Sequence, residues 1–278
     1  MAPSAQRLSS LHVASFVADG ALRFDGIVPR ALSDAALAEL AGGGPPSPFG
    51  APPGSAAAAW PGRPLAGLFH EWPALSAVLE LPAVAGVIES LLGPGALYDH
   101  HYAHVIAPRN GWAQPWHADA ILDPRPTAFD IQLCFFFHDT PREMGGTMYL
   151  PGSHLRRVNE FAIARYQNFV GQEAMACPAG SLLVCHHGIW HCGQPNRTDR
   201  QRTMFKLRLN PSVPQRLLWD TRDLRDPLVG KILSRDHGWY GHEVRLEIAN
   251  RLRLWRALTG DPHYDVDFWL TRIENEPR

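Results

Sequence analysis

His117-Ala118-Asp119 sets an imidazole and a carboxylate two residues apart. On a β-strand, side chains at i and i+2 point to the same face, so both could reach one point. About seventy residues on, His186-His187-Gly188-Ile189-Trp190-His191 offers three further imidazoles, any of which could complete the set. Two histidines and one carboxylate with open positions make the facial triad that holds non-heme Fe(II) in oxygenases. Zinc is a competing occupant, because nitrogen and oxygen ligands suit it as well. Arg202 follows His191 by eleven residues. A guanidinium near such a centre could hold the distal carboxylate of a 2-oxoacid through a two-pronged, charge-assisted contact.

The turn Gln194-Pro195-Asn196-Arg197-Thr198-Asp199 separates His191 from an apolar stretch that begins near Arg202. A hairpin centred between Asn196 and Arg197 sets position 191 opposite 202, and cross-strand partners share a face. The same parity admits Arg200. Arg197 and Arg200 read most simply as solvated turn charge. With 14 histidines in the chain, a chance His-x-Asp triplet is common, so it is the four residues together that point to a reaction class. Gly145-Gly146-Thr147-Met148-Tyr149-Leu150-Pro151-Gly152-Ser153-His154 reads as a short strand closed by a tight turn. His154 is expected to orient that turn and not to bind metal.

The elements that must position these residues are mostly strands. Between about residues 97 and 210, short apolar runs alternate with Pro/Gly turns: Tyr98–Ile106, Asp130–His138, Thr147–Leu150, Ser181–Cys185, Ile189–Cys192 and Thr203–Leu209. Many short strands with turn signals argue for a sandwich or barrel. A Pro-rich turn, Asp123-Pro124-Arg125-Pro126, follows the His-x-Asp triplet. An insert over 155–176, partly helical from Asn159 to Phe169, is placed to cap the mouth. Before the strands, Leu22–Val28 alternates as a strand, Ser33 reads as the cap of a helix through Leu40, and 41–64 reads as an irregular loop. Pro82 suits the first turn of a helix ending at Gly93. After them, Val244, Ile248, Leu252 and Trp255 recur at helix spacing, and Gly260 stops the run. The charged face of that helix (Arg245, Glu247, Arg251, Arg253) reads as solvated surface. Its apolar face is expected to pack on the barrel, with a second subunit as the alternative.

Bulk composition narrows the field. At 278 residues one large domain is favoured over two small ones, with a core at about 97–210 between helical extensions. A formal net charge of −1 and scattered basic residues, with only short clusters such as Arg156-Arg157, give no general pull toward nucleic acid or anionic membrane. No apolar run is long enough to span a bilayer. Cys134, Cys177, Cys185 and Cys192 include no Cys-x-x-Cys pair, and the N-terminus has no apolar signal core. A reduced cytoplasmic setting is expected, with the cysteines serving as small buried hydrophobes.

His117-Ala118-Asp119, Glu143-Met144-Gly145, Leu150-Pro151-Gly152-Ser153-His154, His186 through His191, Pro195-Asn196 and Arg202 together resemble the phytanoyl-CoA dioxygenase family. So does the opening Asp19-Gly20…Leu22–Val28, and the resemblance runs over roughly residues 10–210. It implies a mainly β fold with flanking helices (α+β), built on a double-stranded β-helix, the jelly-roll architecture of cupins. It also implies Fe(II), 2-oxoglutarate and O2, with succinate and CO2 as co-products. Of the three imidazoles it selects His191 as distal ligand, and of the arginines Arg202 as the co-substrate anchor. Two positions depart from the family pattern. Met144 stands where Asn is usual before Gly145, and Gly193 stands where some members carry a hydroxyl that helps hold 2-oxoglutarate. Gln132 and His104 on neighbouring strands are candidates for that support, and polar residues satisfying the barrel are the plainer reading of both. Related halogenases lack the carboxylate, so Asp119 argues for hydroxylation or another oxidation over halogenation.

The expectation is therefore an Fe(II)/2-oxoglutarate-dependent hydroxylase of a small molecule. The alternative is a metal-binding barrel without oxygenase activity, a sensor or small-molecule binder, since fold alone does not decide function. Trp112, Trp116 and Phe169 are candidates to line the pocket.

Overall fold

A computed structural model describes residues 6–48, 51–52, 54–55, 57–120, 125–156, 159–269 and 272. Asp123 and Pro124 of the Pro-rich turn, Arg157 of the basic pair and a few positions of the 41–64 loop lie outside the described residues. Helix α1 (Ser10–Asp19) opens the fold with Ser9 as its cap, the hydroxyl accepting from the His12 amide. It ends at Gly20, whose φ of 74° favours glycine and where a Cβ would run into the His154 ring. Strand β1 (Ala21–Phe24) follows at once. The expected strand stops there because Asp25-Gly26 turns the chain, Gly26 sitting at φ 67°. Helix α2 (Arg30–Ala41) begins earlier than expected, after Pro29. Ser33 is therefore inside it and caps nothing: its hydroxyl donates to the Val28 carbonyl at 3.4 Å.

Helices α3 (Pro73–Glu80) and α4 (Pro82–Leu92) each begin on a proline, as the missing N–H permits. The strands are β2 (Leu97–Ile106), β3 (Ile131–Phe136) and β4 (Thr147–Tyr149), then β5 (Glu173–Ala174), β6 (Ser181–His186), β7 (His191–Gly193) and β8 (Arg202–Asn210). A short helix α5 (Glu160–Ala164), capped by Asn159, lies in the expected insert. Helices α6 (Pro227–Leu233) and α7 (His242–Thr259) close the chain.

The strands form two antiparallel sheets, a five-stranded one in the order β1-β6-β3-β8-β2 and a three-stranded one in the order β5-β4-β7. Alternation along the central strands explains why they are buried on both faces. Ile131, Leu133, Phe135, Leu182, Val184, Phe205, Leu207 and Leu209 join the large core with α1, α3, α4 and α7. Cys134, Phe136, Leu183, Cys185 and Met204 point the other way and pack with Tyr149, Met175 and Ile189, so this cluster lies between the sheets. All four cysteines are free and buried.

Two further expectations are corrected here. His191 and Arg202 are not partners in a hairpin. Strand β7 pairs with β4, with Tyr149 opposite His191, whereas β8 pairs with β2 and β3, with Ile106 opposite Arg202. The Gln194–Asp199 turn is a crossing between sheets, held by the Asn196 side chain, which donates to the Arg200 carbonyl at 2.6 Å. The second correction concerns α7. Glu247 and Arg251 are buried, each 1% exposed. Glu247 accepts from Arg156 at 2.8 Å, and Arg251 donates to the Arg235 carbonyl at 2.6 Å and to His237 Nδ1 at 2.7 Å. Charge at helical spacing looks the same in sequence whether water or a partner answers it. The apolar face of α7 (Ile248, Leu252, Trp255) is buried within the chain, against α1 and α6 among others. No single described helix is long and apolar enough to cross a membrane. The pair α3 and α4, which would match a span by length and composition, bends by 64° and contributes to the large core.

Candidate functional site

His117 precedes no strand of its own but pairs with β7 through an isolated antiparallel bridge. Its amide donates to the His191 carbonyl at 3.0 Å, and the His191 amide donates back at 2.9 Å. The reciprocal bonds set the two imidazoles side by side, ring centroids 4.3 Å apart. Asp119, two residues on, turns its carboxylate to both. Oδ1 is 3.5 Å from His117 Nε2, and Oδ2 is 3.8 Å from His191 Nε2. One ligand atom from each residue lies within 4.8 Å of the others. That spacing suits a first-row metal ion bound at about 2.0–2.2 Å by nitrogen and oxygen.

The tautomers are set by the backbone. His117 Nδ1 lies 2.9 Å from the Pro115 carbonyl and His191 Nδ1 lies 3.0 Å from the Ile189 carbonyl. A carbonyl only accepts, so each Nδ1 carries the proton and each Nε2 presents a lone pair inward. Burial pushes the His191 imidazole down to about 4, which keeps it neutral, although Asp119 pulls the other way. Burial alone would raise the Asp119 carboxyl. His191 and Lys206 outweigh it, and hold the group well below the usual carboxylate range. The Lys206 ammonium is 2.9 Å from Asp119 Oδ2.

These residues open on a cavity of about 520 Å³ between the two sheets. Arg202 lies on its wall, 5% exposed. Its Nη1 spends both protons on the carbonyls of Met144, at 2.9 Å, and Gln194, at 2.8 Å. Nη2 lies by Gly193, 3.8 Å from where a Cβ would stand there. Burial lowers the guanidinium to about 10, and among the described residues no carboxylate pairs with it. A charged fork anchored on one side and unanswered on the other could hold an external carboxylate. Gln132 and His104 also line the cavity, and Gln132 Nε2 and His104 Nε2 are buried without a hydrogen-bond partner among the described residues. Burial pushes His104 down to about 4, so it too is neutral.

The structure thus gathers His117, Asp119, His191, Arg202, Gln132 and His104 around one cavity. His186 and His187 turn away: His186 Nδ1 accepts from the Gly188 amide at 3.0 Å, and His187 Nδ1 meets the Asp130 backbone. His154 is bonded to the Val17 carbonyl at 3.1 Å. Trp112 is on the cavity wall, as expected, but Trp116 and Phe169 are not. They pack together with Trp190, ring centroids of Trp116 and Phe169 5.1 Å apart. Cys134 and Cys185 face the cavity as a thiol pair, and their mutual hydrogen bond and burial raise Cys185 well above its ordinary value.

Two residues escaped the sequence reasoning. Gln114 donates its amide to His117 Nε2 at 3.3 Å and accepts from the Gly193 amide at 3.2 Å. No spacing signals it. Lys206 was findable, because it is four residues from Arg202 on one strand and so shares its face.

A family model described as phytanoyl-CoA dioxygenase matches residues 19–204. No curated protein matches the sequence. Among solved structures, the non-heme alpha ketoglutarate dependent epimerase SnoN from nogalamycin biosynthesis is 18% identical. The match covers 72% of this chain and 80% of that one, with a TM-score of 0.55. The carbocyclase SnoK of the same biosynthesis is 18% identical over 76% and 87%, with a TM-score of 0.55. EctD from S. alaskensis is 19% identical over 74% and 78%, also with a TM-score of 0.55. At such identities the likeness is one of fold.

Proposed function

Since the chain belongs to the phytanoyl-CoA dioxygenase family, we propose that it is a non-heme Fe(II)- and 2-oxoglutarate-dependent dioxygenase that hydroxylates a C–H bond of a small molecule. The two sheets then form a double-stranded β-helix, and the chain works as a single oxygenase domain. One apolar core running from Leu8 to Leu258 supports the latter. The observation that carries the function is the pairing of a convergent His-Asp-His set with a buried guanidinium that no carboxylate among the described residues pairs with, in one cavity.

In this proposal His117, Asp119 and His191 hold Fe(II) through Nε2, a carboxylate oxygen and Nε2. Bound iron supplies the activation of O2 that couples decarboxylation of 2-oxoglutarate to succinate and CO2 with oxidation of the substrate. Arg202 binds the distal carboxylate of the co-substrate through Nη2 and Nε, its Nη1 staying on the backbone. Gln132 Nε2 and His104 Nε2, otherwise unpaired, donate to the remaining oxygens of the co-substrate in place of the hydroxyl that Gly193 lacks. Cys134, Phe136 and Met204 line the wall without competing for it and keep water out. SnoN has been seen with Fe3+, alpha ketoglutarate and nogalamycin RO, and EctD with 2-oxoglutarate and 5-hydroxyectoine. Those pairings support the same metal and co-substrate here. Hydroxylation is proposed over halogenation because Asp119 fills the position that a halide would need.

The test is an anaerobic titration of Fe(II)-loaded protein with 2-oxoglutarate. A saturating metal-to-ligand charge-transfer band is the expected result. Iron bound without any band would point instead to a metal-binding barrel without oxygenase activity. With O2 and a turned-over substrate, product mass then reads hydroxylation against epimerisation or ring closure.

A further inference from the structure

Resting on that function, we infer that Lys206 binds an oxyanion of the prime substrate, so that the substrate is a small carboxylate or phosphate ester with an apolar body. Lys206 lies on β8 four residues beyond Arg202, which separates the two Cα atoms by about 13 Å at the usual strand rise. Its side chain is 13% exposed, and Asp119 is its hydrogen-bond partner. An ammonium has three protons to donate, and one of them is in use.

Charge balance identifies the missing partner. In the loaded site a divalent ion and the dianionic co-substrate cancel, and among the described lining residues Asp119 is the one carboxylate left to set against the two cations Arg202 and Lys206. One positive charge is therefore left over at the site, and Lys206, though paired with Asp119, is the cation that the co-substrate does not take up. Its neighbour Arg208 has acids of its own, Asp130 Oδ2 2.8 Å from Nη2 and Asp99 Oδ2 3.6 Å from Nε, although that Nε makes no hydrogen bond. A surplus of positive charge at a largely buried site favours an incoming anion.

There is room for such a ligand. A second lobe of about 360 Å³ is lined by His100, Tyr102, His104, Asp119, Lys206 and Arg208. Four of these, Tyr102, His104, Asp119 and Lys206, also wall the main cavity, so the lobes adjoin at Lys206. The mouth is apolar and open: Tyr102, Val105 and Trp112 are 46%, 52% and 60% exposed. An oxyanion on Lys206 sits beside Asp119, and the C–H bond oxidised is then a few bonds from it.

The experiment uses Fe(II)-loaded protein, anaerobic and saturated with 2-oxoglutarate so that Arg202 and the metal are taken. Matched probes are titrated in: hexanoate against hexanamide, and phenyl phosphate against phenol, read by tryptophan fluorescence and by perturbation of the charge-transfer band. The anionic member of at least one pair should bind about tenfold tighter or better, the factor for one modest charge-assisted contact. The pair that discriminates names the oxyanion. Lys206→Met should erase the preference while the band still forms, and Lys206→Arg should keep it. If Lys206→Met loses iron, Lys206→Gln takes its place, and a wild type without any preference overturns the inference by itself. Equal binding within both pairs, no anion bound at millimolar concentration, or a preference that survives Lys206→Met each overturns the inference alone. Failure of the band itself overturns the oxygenase function, and this inference with it.

Discussion

Arg202→Met tests the co-substrate site most directly. The replacement keeps an unbranched stem of similar reach and removes the fork. In the structure Nη1 is committed to the Met144 and Gln194 carbonyls, which leaves Nη2 and Nε for a ligand. A hydrogen bond to a charged group is worth about 1.5–3 kcal/mol, and two in one fork are not fully additive. The expected loss is about 2–4 kcal/mol, or about 30- to 700-fold in the Kd for 2-oxoglutarate. Iron affinity should change little, because Arg202 touches none of the three ligands. The same substitution strands two carbonyls, so stability should fall by about 1–3 kcal/mol per group that finds no water. Circular dichroism must therefore show the variant folded at the temperature of the titration. Arg202→Lys, which keeps the charge but not the fork, should fall between wild type and Arg202→Met. The assay is the anaerobic charge-transfer titration with metal content measured in parallel. A Kd for 2-oxoglutarate within about twofold of wild type, in folded and iron-loaded Arg202→Met, would refute the assignment.

Other substitutions probe the rest of the site and the core. His117→Ala, Asp119→Ala and His191→Ala should each lose bound iron and turnover, whereas His186→Ala and His187→Ala should retain iron; metal analysis of the purified proteins decides. Gly193→Ser should be accommodated, since the nearest atoms to its Cβ are Gln114 Oε1 at 3.4 Å and Arg202 Nη2 at 3.8 Å. Its hydroxyl should tighten 2-oxoglutarate by about 1 kcal/mol, roughly fivefold, and an unchanged or weaker affinity would show that the co-substrate does not pass that position. Trp255→Ala, at a side chain with no exposure, should cost about 3–5 kcal/mol in chemical denaturation and leave the charge-transfer band intact in the folded fraction.

The elements of the site were legible where local pattern decides. Short apolar runs between Pro/Gly turns marked strands at Asp130–His138 and Thr203–Leu209, and Pro82 and Gly260 bounded helices α4 and α7. Helices α1 and α3 were missed. In α1 most positions are buried, so no polar face marks a period. The Trp116 and Phe169 rings went to a core cluster because an aromatic type does not say which side of a wall it faces.

The amino-acid sequence by itself determined which chemistry is on offer: two imidazoles and a carboxylate at ligand spacing, and a guanidinium and an ammonium four residues apart on one strand face. These are consequences of residue type and of the two-residue period of extended chain. Tertiary structure alone decided how the groups meet. Arg202 and His191 approach from different sheets and not as hairpin partners, since β8 bonds to β2 and β3 while β7 bonds to β4 and to His117. Desolvation and pairing are likewise properties of the assembled walls. They left Arg202 without an acid among the described residues, set Lys206 on Asp119, and turned Glu247 and Arg251 inward, because the free energy of a charge depends on what surrounds it and not on where it falls in the chain.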